Sequence, residues 1–117
     1  MKRKSVGLAL AAILAASMGM SAMAADSYLV GFANNSDTYN YCAKFRTYLK
    51  EATEAEGIDI MVTDAGGDTN VQNGQIDDFI VQNANAVSAI SNDLDGSVPA
   101  LKAAKDAGIP YISFLTT

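Results

Sequence analysis

Residues 28–39 read YLVGFANNSDTY, and this stretch decides the fold. Its first five residues form a compact apolar run, which is typical of a strand buried in a sheet, and the polar residues after them predict a loop. From Tyr39 onward the apolar residues recur at helical spacing, which indicates an amphipathic helix. The residues expected on its inner face are Tyr41, Phe45, Tyr48, Leu49 and Ala52.

The same alternation continues to the end of the chain. Apolar runs bounded by turn residues predict further strands at residues 58–63, 86–91 and 111–115. Helical patterns lie between them, the second starting near residue 69 and the third ending at Gly108. The order β-α-β-α-β-α-β predicts an α/β fold, a three-layer sandwich built on a parallel sheet.

Local signals predict where the helices begin and end. Gly57 suits the left-handed position just after the first helix. Thr69 and Gln72 have the spacing of a capping box, in which each side chain binds a free backbone amide at the start of the second helix. In the third helix we expect Val98, Leu101 and Ala104 to face the core.

If the strands take the common order 2-1-3-4, a topological switch point lies between the first and third strands. Ligands of such sheets bind outside the carboxyl ends of the strands at that point. The loops that would form a site there are residues 34–40, residues 92–95 and the C-terminal pair Thr116-Thr117.

The N-terminus has the features of a secretory leader. Three basic residues at positions 2–4 precede an apolar run, and Ala22-Met23-Ala24 provides a small-x-small cleavage pattern. We therefore expect a signal peptide at residues 1–24, release into the periplasm and no membrane insertion afterwards. The leader holds three of the 8 basic residues and none of the 13 acidic ones, so the remaining chain is strongly acidic and a poor partner for nucleic acid.

Few residues suit cofactor, metal or nucleophilic chemistry. The chain has no histidine, and its single cysteine, Cys42, is expected to be a small buried residue of the first helix. Gly66 and Gly67 stand between a strand and a helix, but they lack the spacing of a phosphate loop and have no lysine beside them. The sequence thus predicts a binding protein without a cofactor or a metal.

Four segments together resemble a known family. They are residues 30–39, residues 64–77, the loop NDLDG at 92–96 and the ending AGIP at 107–110. Their order and spacing resemble the type I periplasmic sugar-binding proteins of the ribose, galactose and xylose class. The resemblance implies that residues 25–117 are the N-terminal lobe of a longer protein, the substrate-binding component of an ABC transporter that captures a small sugar for a membrane permease.

The resemblance also implies a ligand site. By position, the first loop would supply Asp37, Tyr39 and Asn40, with Tyr41 as a weaker candidate. The switch point adds Asp93 and Thr116 from the loops after the third and fourth strands. A carboxylate can accept from sugar hydroxyls, and a tyrosine ring can cover the apolar face of a sugar. The alternative is that Asp37 only caps the first helix and Tyr39 only packs at its entrance.

Other functions stay open at this point. Many members of the class have Asp or Asn after the fourth strand, often followed by Arg or Lys, whereas this chain has Leu115-Thr116-Thr117. Asp37 and Tyr39 would also suit a small cationic amine, through charge pairing and cation–π contact. A periplasmic sensor lobe that contacts a chemotaxis receptor is a further alternative. A glycoside hydrolase using Asp37 and Asp93 is a distant one.

Overall fold

The computed structural model describes residues 27–114. The strands are β1 (Leu29–Asn34), β2 (Asp59–Asp64), β3 (Ala86–Ile90) and β4 (Tyr111–Phe114), and the helices are α1 (Asn40–Ala55), α2 (Thr69–Val81) and α3 (Val98–Asp106). The expected signal peptide at 1–24 and the C-terminal residues 115–117 lie outside the described residues.

All four strands form one parallel sheet in the order β2-β1-β3-β4. The predicted α/β fold, the element order and the switch point between β1 and β3 are therefore confirmed. Every residue of β3 is buried, as expected of a central parallel strand that is covered on both faces. The carboxyl ends of the strands, with the loops that follow them, lie at one edge of the sheet.

The sheet separates two hydrophobic cores. On the α1 side, Phe32, Cys42 and Ile90 are buried beside the rings of Phe45 and Phe114, whose centroids lie 4.8 Å apart. On the other side, Ile76, Phe79, Val87, Ala89 and Ala100 are among the buried residues under α2 and α3. Gly31 allows the close approach of α2, because a Cβ at this position would lie 2.4 Å from the ring of Phe79.

Two predicted helix faces need correction. In α1, Tyr41 and Tyr48 are 55% and 66% exposed and Ala52 is also exposed, while the inner face consists of Cys42, Phe45 and Leu49. The helix packs over the edge strand β2, so its buried stripe is narrow. In α3, Val98 and Leu101 are exposed, and the buried residues are Ala100 and Ala104, whose small side chains allow α3 to pack closely on α2.

The helix ends agree with the sequence in one place and differ in another. Gly57 has a φ of +71°, which confirms the left-handed residue predicted after α1. The predicted capping box at the start of α2 is wrong. Asp68 caps that helix by accepting from the backbone amides of Asn70 and Val71, at 2.8 Å and 3.0 Å. Gln72 is consequently free to point into the sheet.

Among residues 27–114, no helix is both long enough and apolar enough to cross a membrane.

Candidate ligand-binding site

The loops that follow β1 and β3 lie side by side at the carboxyl edge of the sheet. These two strands are neighbours, with Val30 to Ala33 paired against Ala86 to Ala89. Residues 35–39 leave β1 and residues 91–97 leave β3, which is the arrangement predicted for a site at the switch point. The third expected segment, Thr116-Thr117, lies outside the described part of the chain.

A buried glutamine of α2 fills the position where the two strands separate. Gln72 is 1% exposed, and its Nε2 donates to the carbonyl oxygens of Ala33 in β1, at 3.1 Å, and Ile90 in β3, at 2.8 Å. Its Oε1 accepts from the backbone N–H of Asn92, at 3.2 Å. A capping role was expected for this residue, because the Thr-x-x-Gln spacing does not show which way the amide points.

The loop after β1 is held by Asp37. One carboxylate oxygen accepts from Asn34 Nδ2 at 2.6 Å, and the other lies 2.7 Å from Arg46 Nη1 of α1. Asn34 is itself fully buried. Asp37 is not the cap of α1, since the residue at that position is Tyr39 and no side chain binds the free amides there. Both oxygens of this candidate ligand residue thus contact protein groups.

Tyr39 and Asn40 stand at the start of α1 with their side chains exposed. Tyr39 is 58% exposed, so its ring presents a large surface beside the loop. Asn40 is the first residue of the helix, where unpaired backbone N–H groups also lie. Within the loop, the hydroxyl oxygens of Ser36 and Thr38 are 2.8 Å apart and form a hydrogen bond. The geometry therefore leaves the tyrosine ring available to a ligand.

The loop after β3 folds around Asp93. Its Oδ1 accepts from the backbone N–H of Gly96 at 3.1 Å, and its carbonyl oxygen accepts from the N–H of Ser97 at 3.0 Å. Asn73 of α2 adds a bond from Nδ2 to the carbonyl of Gly96 at 2.8 Å. The carboxylates of Asp37 and Asp93, which the hydrolase alternative would pair, each bind groups of their own loop or helix.

Several amide groups at this edge retain unused polar atoms. Among the described residues, Asn35 Oδ1 and Asn92 Nδ2 are buried without a hydrogen-bond partner, and so is Asn34 Oδ1. A buried polar atom of this kind usually finds a partner, which can be a ligand. These asparagines lie in or directly beside the loops expected from the sequence. They were not among the candidate ligand residues, because asparagine is also a common turn residue.

Of two further grooves, the first adjoins the loop after β3 and the second lies away from the carboxyl edge. One, of about 180 Å³, runs between α3 and β4 and is lined in part by Leu94, Leu101 and Tyr111. Burial raises the pKa of the Tyr111 phenol, and the nearby Ser91 side chain lowers it to a smaller extent. Among the described residues, the Tyr111 hydroxyl has no partner at good hydrogen-bond geometry. The other, of about 580 Å³, lies between α1 and β2 and is lined by charges of both signs, including Arg46 and Glu51.

Comparison with known proteins assigns the family. A model of the periplasmic binding protein domain matches residues 30–117 of the 117-residue chain. The chain belongs to the periplasmic binding protein family. The resemblance seen in the sequence is thereby confirmed, and the loops after β1 and β3 are the carboxyl-edge loops of a periplasmic binding protein lobe. No curated protein sequence matches the chain significantly.

Solved structures agree with this assignment. An ABC transporter solute-binding protein from Mycobacterium smegmatis with bound glycerol is 26% identical, with a TM-score of 0.72 over 74% of this chain. The periplasmic component of the arabinose ABC transporter from Shewanella sp. ANA-3, bound to L-arabinofuranose, is 27% identical, with a TM-score of 0.69 over 76%. A Mycobacterium smegmatis protein in complex with β-D-fucofuranose is 26% identical, with a TM-score of 0.71 over 74%. The chain spans 30%, 31% and 29% of the length of these structures.

Proposed function

We propose that this periplasmic binding protein captures a small neutral sugar at the loops after β1 and β3 and delivers it to the permease of an ABC transporter. The observation that carries the proposal is the set of neutral polar groups at the switch point of a periplasmic binding protein lobe. The sugars bound by the structurally similar proteins from Shewanella and Mycobacterium support it. Both of these sugars are furanoses, so we extend the proposal to sugars in the furanose form.

The chemistry of the loops suits hydroxyl groups. Asn35 Oδ1 and Asn92 Nδ2 are buried and unpaired, and rotation of these partly exposed side chains would bring an acceptor and a donor to a sugar hydroxyl, which can both donate and accept. The exposed ring of Tyr39 can cover the apolar face of a sugar. Asn40, Asp93 and Thr116 remain proposed contacts at the rim of the same site. Asp37 would contribute the lone pairs that Asn34 and Arg46 leave unused.

The amine alternative has less support from the geometry. A cationic ligand would need a carboxylate whose charge is not already compensated. The carboxylate of Asp37 lies 2.7 Å from the guanidinium of Arg46, so the pair has no net charge to offer a cation. The side chain of Asp93 is exposed, and an ion pair formed with a ligand at an exposed position adds little affinity. These contacts favour a neutral ligand over an amine.

Export follows from the leader. We propose that residues 1–24 direct the chain to the periplasm and are removed there, and that residues 25–117 form the N-terminal lobe of the binding protein. We propose that its partner is the membrane permease of the transporter. The alternative is that the lobe with its bound ligand contacts a chemotaxis receptor.

Titration calorimetry of the purified protein tests the ligand class. We expect heat of binding with L-arabinose or D-galactose and an affinity that is unchanged when salt is raised from about 50 to 500 mM, because screening affects charge pairs and not neutral contacts. Putrescine serves as the amine probe. Binding of putrescine that weakens with salt, without binding of either sugar, would contradict the proposal.

A further inference from the structure

A single buried amide connects the two strand ends that carry the candidate ligand loops. Gln72 donates both of its Nε2 hydrogens, one to the carbonyl of Ala33 and one to that of Ile90, and its Oε1 accepts from Asn92. A glutamine amide has two donors and one oxygen acceptor, so every polar atom of this side chain is used. At 1% exposure, water does not compete for these bonds.

The position of this amide follows from the sheet. The pairing of β1 with β3 ends at Ala33 and Ala89, and beyond this pair the two backbones separate to form different loops. Backbone groups next to such a split need partners from outside the ladder, since unpaired buried carbonyls are costly. Gln72 supplies them from the first turn of α2 and also accepts from the amide of Asn92, the second residue of the loop after β3.

We propose that Gln72 is a positioning residue for ligand binding, which holds residues 35–39 and 91–97 at a fixed separation without touching the ligand. This inference rests on the proposed sugar-binding function. Asn35 lies two residues after Ala33, and Asn92 lies two residues after Ile90, so the groups expected to meet a sugar follow the carbonyls that Gln72 binds with one residue between. Loops fixed before binding lose less conformational freedom when the ligand arrives.

Three variants separate positioning from a general contribution to folding. Gln72→Met keeps the length of the side chain and removes all three bonds. Gln72→Glu keeps the shape but cannot donate when ionised; when protonated it regains one donor, so its effect depends on pH. Gln75→Met is the matched control, because Gln75 lies one turn further along α2 and donates to the carbonyl of Asp64 at the end of β2, away from the split.

The experiment combines amide hydrogen exchange, followed by NMR, with titration of L-arabinose. In Gln72→Met we expect the amides of Asn92 and its loop to exchange about tenfold faster through local openings, the factor for loss of one net hydrogen bond, at rates that do not depend on dilute urea. Amides in the centre of β3 exchange through global unfolding, so their rates follow the loss of stability and depend on urea. The affinity for L-arabinose should fall about tenfold. In Gln72→Glu, burial raises the pKa of the carboxyl, so the affinity should be weak at about pH 9, where the carboxyl is ionised, and higher at about pH 6, where it is protonated and donates one hydrogen bond. Wild type and Gln75→Met should stay constant over that range.

The outcomes are distinguishable. Equal effects of Gln72→Met and Gln75→Met on loop exchange, or uniform acceleration at every amide, would overturn the positioning role. If Gln72→Met fails to fold, the acid recovery of Gln72→Glu decides the question in its place, and the absence of any pH dependence overturns the role. Failure of the wild-type protein to bind L-arabinose would count against the proposed function, and loop exchange would still decide whether Gln72 fixes the two loops.

Discussion

The two loops at the carboxyl edge of the sheet are fixed in different ways. Residues 35–39 are held through Asp37, which pairs with Arg46, their side chains 27% and 40% exposed, and accepts from the buried Asn34, whereas Gln72 binds only the carbonyl of Ala33 before this loop. Residues 91–97 are held by α2, through the fully buried Gln72 and through Asn73. The contacts of the loop after β1 include a charged pair that is partly exposed to solvent. The contacts of the loop after β3 are neutral hydrogen bonds that are largely buried.

This difference has a physical consequence. Ions and water weaken a half-exposed ion pair, so its contribution to stability is small and depends on salt. A buried amide with all its hydrogen bonds is insensitive to salt, and its removal leaves backbone groups unpaired. The loop after β3 should therefore be the rigid side of the site, and the loop after β1 the adjustable side.

The largest effect is expected from Gln72→Met. It leaves two carbonyls and one N–H without a partner, which should lower the free energy of unfolding by about 3 kcal/mol at any salt concentration. Urea unfolding followed by circular dichroism measures this. The control is Gln82→Met, at an exposed glutamine that donates only to Asp78 within its own helix, where we expect a change of less than about 0.5 kcal/mol. A loss that depends strongly on salt would contradict the comparison.

A smaller effect is expected from Gly96→Ala in the loop after β3. A Cβ at this position would lie 2.8 Å from Cγ2 of Thr69, so either the Thr69 side chain or the loop must shift. We expect a loss of about 1–2 kcal/mol, measured by the same unfolding curves. Gly74→Ala is the matched control, because its Cβ would meet nothing within 4 Å and alanine favours the helix, so the protein should gain about 0.5–1 kcal/mol. An unchanged stability in Gly96→Ala would show that this loop is not closely packed.

Arg46→Met tests the loop after β1. We expect a loss of about 0.2–1 kcal/mol at low salt that disappears near 1 M salt, since the pair is half exposed. A double-mutant cycle with Asp37→Asn isolates the pair, and Lys50→Met is the control, because Lys50 lies 3.8 Å from Glu54 on the same helix. A coupling above about 2 kcal/mol, independent of salt, would mean that both loops are equally rigid.

The smallest effect concerns Tyr111, beside the loop after β3. Burial raises the pKa of its phenol in the folded state above the ordinary value of 10.0. The contribution of the neutral phenol to stability is therefore complete below pH 10 and is lost as the pH rises through the pKa of the folded state. Above pH 10, wild-type stability should therefore fall more steeply than that of Tyr111→Phe. Parallel curves for the two proteins in alkaline urea titrations would contradict this prediction.

The sequence predicted the backbone of the site better than its side chains. Apolar runs and turn residues were sufficient for the order of strands and helices along the chain and for the two loops, because burial on both faces imposes a distinct pattern. The strand order in the sheet matches the common arrangement of such folds. The direction of a polar side chain is set by tertiary contacts, so Gln72 was assigned to a cap and Asp37 was not paired with Arg46. The predicted inner face of α1 was wrong at its tyrosines for a related reason, since a tyrosine side chain suits a core and an exposed surface equally well.

The most direct measurement is chemical-shift mapping of the isotope-labelled protein during titration with L-arabinose. We predict saturable shifts of the backbone amides of residues 35–40 and 91–97, which Tyr39→Ala weakens by about tenfold in affinity. Tyr48→Ala, at a tyrosine that is 66% exposed on the same helix but far from its start, should leave the titration unchanged. Shifts confined to the groove between α1 and β2, or equal responses of the two tyrosine variants, would contradict a sugar site at the switch point.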